Sequence, residues 1–179
     1  MDLDEIIEGC KEGKPKAQKA LYDMFSGRLF GVCLRYCRNR EDAKDVFQDA
    51  FVKVFNNIIM YDNFGSFDGW IRKIFVNQAL NFYRYNKVFL QVSADDLNLI
   101  SEENSNDALF DDYSTKKILD SIQKLPNKQR IVFNMIEVEG ESYEDVAKFL
   151  NVSQECIRSQ NSNAKKKLRE LLYNIKKSE

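Results

Sequence analysis

Apolar residues recur along most of this chain at steps of three and four, which is the spacing of one face of an α-helix. The pattern is clear after Pro15, where one side of a long predicted helix carries Leu21, Phe25, Leu29, Cys33 and Leu34. Only two prolines and seven glycines occur among the 179 residues. We therefore predict an all-α fold, and the length suits either one large or two small domains.

A segment from Arg40 to Ile59 carries two neighbouring apolar rows on one predicted helix. The first row is Val46, Ala50 and Val54, and the second is Phe47, Phe51, Phe55 and Ile58. One row can pack in the core. The other is either part of a wide buried face or a docking surface for helices of another protein, and periodicity slightly favours burial.

The next predicted helix begins near Phe67 and runs to about Val88. Its core stripe is Phe67, Ile71, Ile74, Phe75 and Phe82, and a second face carries Trp70, Lys73, Asn77, Asn81 and Arg84. Amides bond base edges, cations hold phosphates and aromatic rings stack on unstacked bases, so this face is typical of a reader of partly single-stranded nucleic acid. A polar helix face with one half-buried tryptophan explains the pattern equally well.

Two helical patterns separated by a short turn lie near the C-terminus. Ser142 to Leu150 forms a one-sided helix, Asn151 tolerates the left-handed conformation that ends it, and Ser153 is a good N-cap for the next helix. We expect that next helix to bury Ile157, Ala164, Leu168, Leu171, Leu172 and Ile175, and to present Arg158, Ser159, Ser162, Lys165 and Lys166 elsewhere. This arrangement predicts a helix-turn-helix with its recognition helix second, although a solvated basic helix has a similar composition.

The formal net charge of −1 hides an uneven distribution of charge. Residues 69–94 contain no acidic side chain, whereas residues 88–115 contain no lysine or arginine. Two cationic surfaces separated by an acidic strap are expected of a protein that binds DNA at two places. We predict a domain at residues 1–90, an acidic flexible linker at 91–112 and a second domain at 113–179.

The side chains that usually carry catalysis or hold metals are scarce. The chain has no histidine, which removes the commonest general base, and no glycine-rich phosphate loop or nucleophile elbow stands out. We therefore expect no enzyme, no cofactor and no metal site. The cysteines lack paired metal-binding motifs, so we expect small buried thiols without disulfides at Cys10, Cys33, Cys37 and Cys156. Without a signal peptide or an apolar run of membrane-spanning length, a cytoplasmic location is expected.

Three motif blocks resemble, in order, those of the extracytoplasmic-function (ECF) group of the sigma-70 family of bacterial sigma factors. The blocks run from Glu41 to Phe51, from Phe67 to Asn77 with its Phe-x-x-Trp-Ile-x-x-Ile-x-x-Asn pattern, and from Leu125 to Ala147. The resemblance covers nearly the whole chain. It implies a protein that binds core RNA polymerase and directs promoter-specific initiation of transcription.

The resemblance also assigns residues to partners. It implies that the clamp coiled coil of the polymerase β′ subunit is contacted by Asp45, Gln48, Asp49 and Phe51. It implies that the −10 promoter element is recognised and melted by the loop from Asp62 to Ser66, including Asn63 and Phe64, together with Trp70, Lys73, Asn77 and Arg84. It implies that the −35 element is read by Arg158, Ser159, Ser162, Lys165 and Lys166. Core polymerase (β′ and β subunits), promoter DNA and an anti-sigma factor are the implied partners, without insertion into a membrane.

The predicted recognition helix departs from the family pattern. Asn161 falls on the core stripe where an apolar residue is expected, and Gln160 and Asn163 stand where the family has cations. Fewer phosphate contacts predict weaker and less salt-dependent DNA binding by this domain. Two other functions stay open: a helix-turn-helix regulator that never joins polymerase and dimerises through its N-terminal helices, and a helical interaction protein with a degenerate DNA-binding domain.

Overall fold

A computed structural model describes residues 1–85 and 113–177, with side chains at 1–83 and 115–175. The α-helices are α1 (Leu3–Lys11), α2 (Pro15–Tyr36), α3 (Arg40–Asn57), α4 (Phe67–Tyr85), α5 (Tyr113–Gln123), α6 (Asn127–Phe133), α7 (Tyr143–Leu150) and α8 (Gln154–Lys177). A 3-10 turn at Ile58–Met60 follows α3, and a π-helical turn at Asn134–Val138 follows α6. The all-α prediction is confirmed for these ranges.

The chain divides into two compact units between Tyr85 and Asn86. The linker predicted at residues 91–112 lies almost wholly outside the described residues, so its boundaries stay a prediction.

Local signals set the first helices. A capping box links Asp2 and Glu5 at the start of α1, and Pro15 occupies the first turn of α2, where its missing N–H leaves no helical bond unmade. The tight turn between these helices brings Gly9 against Ala17, and a Cβ built at Gly9 would lie only 2.6 Å from the Ala17 Cβ. The predicted core residues of α2 are buried, as Leu21, Phe25, Leu29, Cys33 and Leu34 show.

Both apolar rows of α3 are buried, because this helix packs against α2 on one side and α4 on the other. The phenylalanine row joins an aromatic cluster in which the Phe51 ring lies 5.0 Å from Phe47 and 5.2 Å from Phe75. Phe55 alone in the two rows is partly exposed. The wide buried face is therefore the correct interpretation, and the apolar rows offer no separate docking stripe.

The core stripe of α4 is partly different from the prediction. Phe67, Ile71 and Phe75 are buried, but Ile74 and Phe82 are only partly so. The positions that complete the core are Ala79, Leu80 and Tyr83. The periodicity was right and its register drifted by about one residue toward the end of the helix.

In the C-terminal unit, α5, α6 and α8 surround a core cluster of Ile122, Leu125, Ala164 and Leu168, with Phe133 packed against it. Arg130 is 1% exposed although it is charged. Its guanidinium donates hydrogen bonds to the carbonyl oxygens of Gln123 (3.3 Å) and Leu125 (3.0 Å). Arg130 thus satisfies carbonyl groups at the C-terminal end of α5, where the helix dipole also favours a cation.

Several predicted core positions of the C-terminal unit are more exposed than expected. Leu172 is 38% exposed, while Leu171 and Ile175 are intermediate. The buried stripe of α8 thus ends near Leu168, since the packed cluster does not continue along the last turns of the helix.

Three cysteines are buried thiols as predicted, but the fourth is not. Cys10, Cys33 and Cys37 are buried, and burial raises the pKa of the Cys33 thiol well above its usual range. Cys156 is exposed near the start of α8, which corrects the prediction of a buried thiol there. Among residues 1–85 and 113–177, no helix has the length and apolar character needed to cross a bilayer.

Candidate nucleic-acid and docking surfaces

The loop before α4 holds a phenylalanine out in solvent. Phe64 is 93% exposed, and its neighbours Asn63 (φ 63°) and Gly65 (φ 86°) both have left-handed backbone. The Phe64 N–H donates to the Asp62 carboxylate (3.0 Å), and the Tyr61 hydroxyl donates to the Gly65 carbonyl oxygen (2.9 Å). Hydrogen bonds within the loop therefore fix its conformation. The Phe64 side chain itself is not buried and so adds no hydrophobic stabilisation to the loop.

An aromatic base supports this loop. The rings of Tyr61 and Phe67 lie 5.1 Å apart, and the Trp70 ring lies 5.4 Å from each of them. Ser66 caps α4 by accepting a hydrogen bond from the Gly69 N–H (3.1 Å). These contacts fix where the loop leaves the helix and half-bury Trp70.

The predicted DNA-facing row on α4 is only partly exposed to solvent. Lys73 and Asn77 are exposed, whereas Trp70 is half-buried against the loop base. Arg84 lies in the last turn of α4, but its side chain lies outside the described residues. Asp68, the acidic residue in the first turn, forms a 2.5 Å ion pair with Arg28 of α2, which partly neutralises its charge near the row.

The polar side of α3 presents the predicted docking residues Asp45, Gln48 and Asp49, all of which are exposed. Phe51 does not join them, because its side chain is 5% exposed within the aromatic cluster. The exposed part of this predicted docking surface therefore consists of the three polar residues.

Asp49 is held by a residue that sequence reasoning missed. Gln78 of α4 donates a hydrogen bond to the Asp49 carboxylate (3.2 Å) and accepts one from Lys53 of α3. Nothing in the spacing of α3 alone points to this contact, because Gln78 is 29 residues away. The polar side of α3 is thereby joined to α4 by side-chain hydrogen bonds.

The predicted helix-turn-helix forms with the predicted caps. The Ser142 side chain accepts from the Asp145 N–H (3.0 Å) at the start of α7, and Asn151 ends that helix in the left-handed conformation (φ 54°, ψ 50°). Ser153 accepts from the Cys156 N–H (3.2 Å) at the start of α8. The two signals that the sequence predicted, Asn151 and Ser153, were local and are confirmed, whereas the Ser142 cap was not predicted. Phe149, near the end of α7, is 36% exposed.

The predicted −35 contacts lie along α8. Arg158, Ser159, Ser162 and Lys166 are exposed, and Lys165 is partly buried. Arg158, Ser162 and Lys165 follow steps of four and three, so they share one face of the helix. The Arg158 guanidinium also lies 5.8 Å from the centre of the Tyr143 ring.

Asn161 is buried beside this face, with 0% of its surface exposed. Its amide donates hydrogen bonds to Glu137 (2.7 Å) in the π-helical turn and to the Tyr143 hydroxyl (2.9 Å) in α7. The same Glu137 oxygen accepts from Lys165 (2.9 Å). The polar residue at a core position was visible in the sequence, but its partners Glu137 and Tyr143 were not.

The C-terminal unit thus carries a helix-turn-helix, and the N-terminal unit exposes Phe64 beside a helix face with Lys73 and Asn77. Residues 21–88 match the family model described as Sigma-70 region 2, and residues 115–168 match Sigma-70, region 4. The chain belongs to the ECF group of the sigma-70 family.

Curated relatives support this assignment along most of the chain. The ECF RNA polymerase sigma-E factor of Haemophilus influenzae is 25% identical over 86% of this chain and 86% of its own length. The ECF RNA polymerase sigma factor SigW of Bacillus subtilis is 23% identical over 98% of this chain and 99% of its own length.

Solved structures show the same fold. A complex of the sigma factor RpoE with the anti-sigma factor NepR, from Bartonella quintana, matches with a TM-score of 0.52 and 24% identity over 89% of this chain and 98% of that one. CnrH in complex with the cytosolic domain of CnrY matches with a TM-score of 0.50 and 20% identity over 94% of this chain and 96% of that one.

Proposed function

We propose that this protein binds core RNA polymerase and directs it to promoters through −10 and −35 recognition, with no catalytic activity of its own. The observation that carries the proposal is the Phe64 loop. A large apolar side chain that is 93% exposed on an ordered loop is poised for a ligand that will cover it. An unstacked base supplies such a surface, and Lys73 and Asn77 on the neighbouring helix supply groups for phosphate and base edge.

The polymerase contact is proposed for the polar side of α3. Asp45, Gln48 and Asp49 are exposed there and offer carboxylates and an amide to a partner helix. Phe51 supports this surface from below. Gln78 restrains the Asp49 carboxylate before the partner arrives, which reduces the side-chain entropy lost on docking.

The −10 contact is proposed for the loop with Asn63 and Phe64, and for Trp70, Lys73, Asn77 and Arg84 on α4. Trp70 acts mainly by packing under the loop, because it is half-buried against Tyr61. An Arg84 contact rests on the family resemblance alone.

The −35 contact is proposed for Arg158, Ser159, Ser162, Lys165 and Lys166 on the second helix of the helix-turn-helix. A recognition helix in the major groove reads base edges with side chains near its N-terminal end and phosphates with its cations. We assign the first role to Arg158 and the second to Lys166, since both side chains are exposed on α8.

Residues 91–112 are proposed as the acidic tether between the units, and the cytoplasm, where polymerase and promoter DNA are found, as the location. An anti-sigma factor is proposed as a further partner, because the structure neighbour RpoE is a sigma factor in complex with the anti-sigma factor NepR.

Transcription in vitro tests the DNA part of the proposal. Transcript sequencing after induced expression identifies start sites, and a promoter from that set is used for run-off synthesis with core polymerase. We expect wild-type protein to support run-off and Phe64→Ala to reduce it at least tenfold. Tyr173→Ala, at an aromatic that is 67% exposed on α8, is the matched control and should keep activity. Run-off that is equal for wild type and Phe64→Ala contradicts the role of the loop.

Co-purification with core polymerase separates this function from a regulator that never joins the enzyme. Asp49→Lys reverses a charge on the proposed docking face and should abolish co-purification. Asp23→Lys makes the same change on an exposed position of α2 and should not. Failure of the wild-type chain to bind polymerase would favour the regulator instead.

A further inference from the structure

The partial burial of Lys165 has a specific cause in the fold. Its ammonium group lies 2.9 Å from a carboxylate oxygen of Glu137, which comes from the π-helical turn 28 residues earlier. The Lys165 and Glu137 side chains are 39% and 33% exposed. This is a contact between separate elements, unlike the pairs along single helices at the surface.

Asn161 fixes Glu137 in this position. Its buried amide donates to the oxygen that also accepts from Lys165, and to the Tyr143 hydroxyl. Because the amide is fully buried, it has no water to bind in place of Glu137. The carboxylate is therefore anchored from the core and directed toward the cationic face of α8.

The charges of this pair support each other. Hydrogen bonds from Lys165 and Asn161 lower the pKa of Glu137 below its usual value, and the bond to Glu137 raises the pKa of Lys165. Both groups are thus ionised at neutral pH. A carboxylate with two acceptor oxygens beside a lysine offers what a DNA phosphate would offer at the same place.

We propose that Glu137 competes with DNA phosphate for Lys165, so that this carboxylate lowers both the affinity of the helix-turn-helix for duplex DNA and its salt dependence. The inference rests on the proposed −35 contact by α8. In the DNA-free protein one of the cations of the recognition helix is already neutralised. The neutralised charge of Lys165 is a second reason for weak phosphate binding, in addition to the amides at Gln160 and Asn163.

Fluorescence anisotropy with the full-length protein and a mixed-sequence duplex of roughly 30 base pairs tests this competition. Glu137→Gln keeps the size of the side chain and an acceptor for Asn161, but removes the charge. We expect about two- to fivefold tighter binding at about 50 mM salt, the range that an exposed ion pair can account for. The plot of log K against log salt should become steeper by about 0.9, the value for one additional phosphate contact.

Two controls make the result specific to Lys165. Glu8→Gln removes the same charge from a pair of equal length, Glu8 and Lys11 at 2.9 Å in α1, and reports the effect of net charge alone. In a Lys165→Ala background, Glu137→Gln should have no effect beyond that of Glu8→Gln. An unchanged salt slope, a gain no larger than that of Glu8→Gln, or a gain that survives without Lys165 overturns the proposal.

Run-off transcription by the wild-type protein, measured in parallel, separates this inference from the proposed function. Run-off together with an unchanged slope for Glu137→Gln rejects the competition only. A steeper slope without any run-off supports the competition and rejects the sigma function.

Discussion

Replacement of Arg130 by methionine should destabilise the C-terminal unit by about 3 to 5 kcal/mol. The Arg130 guanidinium is buried and donates to the carbonyl groups of Gln123 and Leu125 and to the side chain of Asn127 (2.5 Å). Hydrogen bonds from a charged donor contribute roughly 1.5 kcal/mol or more each. Methionine fills a similar volume without donors, so the loss comes from acceptors left without a partner and not from a cavity.

The single tryptophan allows the two units to be followed separately during chemical denaturation of the full chain. Trp70 lies in the N-terminal unit, so its fluorescence reports the unfolding of that unit. Far-UV circular dichroism reports the helices of both. We expect Arg130→Met to move the part of the dichroism transition that tryptophan does not follow, and to leave the fluorescence transition in place.

Arg169→Met and Arg130→Lys serve as controls. Arg169 is exposed on α8, so its loss should change stability by less than about 0.5 kcal/mol. Lysine at 130 keeps the charge but not the planar fork, and an intermediate loss is expected. A loss below about 1 kcal/mol for Arg130→Met, or an equal shift of the fluorescence transition, would refute the capping role.

Three further outcomes are expected, each measured by denaturation of the full chain. Gly9→Ala should lower the free energy of unfolding by about 1 to 3 kcal/mol, because the added Cβ would overlap that of Ala17. Gly27→Ala, with open space around it, should raise the free energy of unfolding by about 0.5 to 1 kcal/mol. Equal effects of the two substitutions would contradict the close approach of Gly9 to Ala17. Asn151→Ala should lower the free energy of unfolding by about 1 kcal/mol because the backbone at this position is left-handed, whereas Asn151→Gly should not. An Asn151→Ala variant as stable as the wild type would contradict the left-handed backbone. The lowered pKa of Glu137 means that its stabilisation is present above pH 4.5, the unfolded value, and is lost as pH falls through the lower folded value. Glu137→Gln should therefore flatten the stability profile below that pH, and an unaltered profile would reject the interaction.

Sequence reasoning succeeded where the signal was local. Asn151 and Ser153 specify the end of one helix and the start of the next through bonds within a few residues, and both form as predicted. The width of the apolar face on α3 was ambiguous for a physical reason. Two rows can be buried only if two helices cover them, and a single helix does not show how many neighbours it has.

The parts of the candidate site that the sequence did not predict depend on distant residues. Glu137 meets Asn161 and Lys165 across 24 and 28 residues, and no periodicity connects the π-helical turn to α8. Leu172 has the spacing of a core residue, yet periodicity does not reveal where the neighbouring helices stop. Phe51 was assigned to a partner by resemblance, although the packing of α2 and α4 encloses it.

The anchoring of Asn161 has a consequence for anyone who wants to redirect this protein to other promoters. Exchanging α8 alone for the helix of a relative with an apolar residue at position 161 would strand Glu137 without its amide donor and leave the Tyr143 hydroxyl unmatched. A functional chimera therefore needs positions 137, 143 and 161 exchanged as a set, because the buried hydrogen bonds of Asn161 join α8 to the residues at positions 137 and 143.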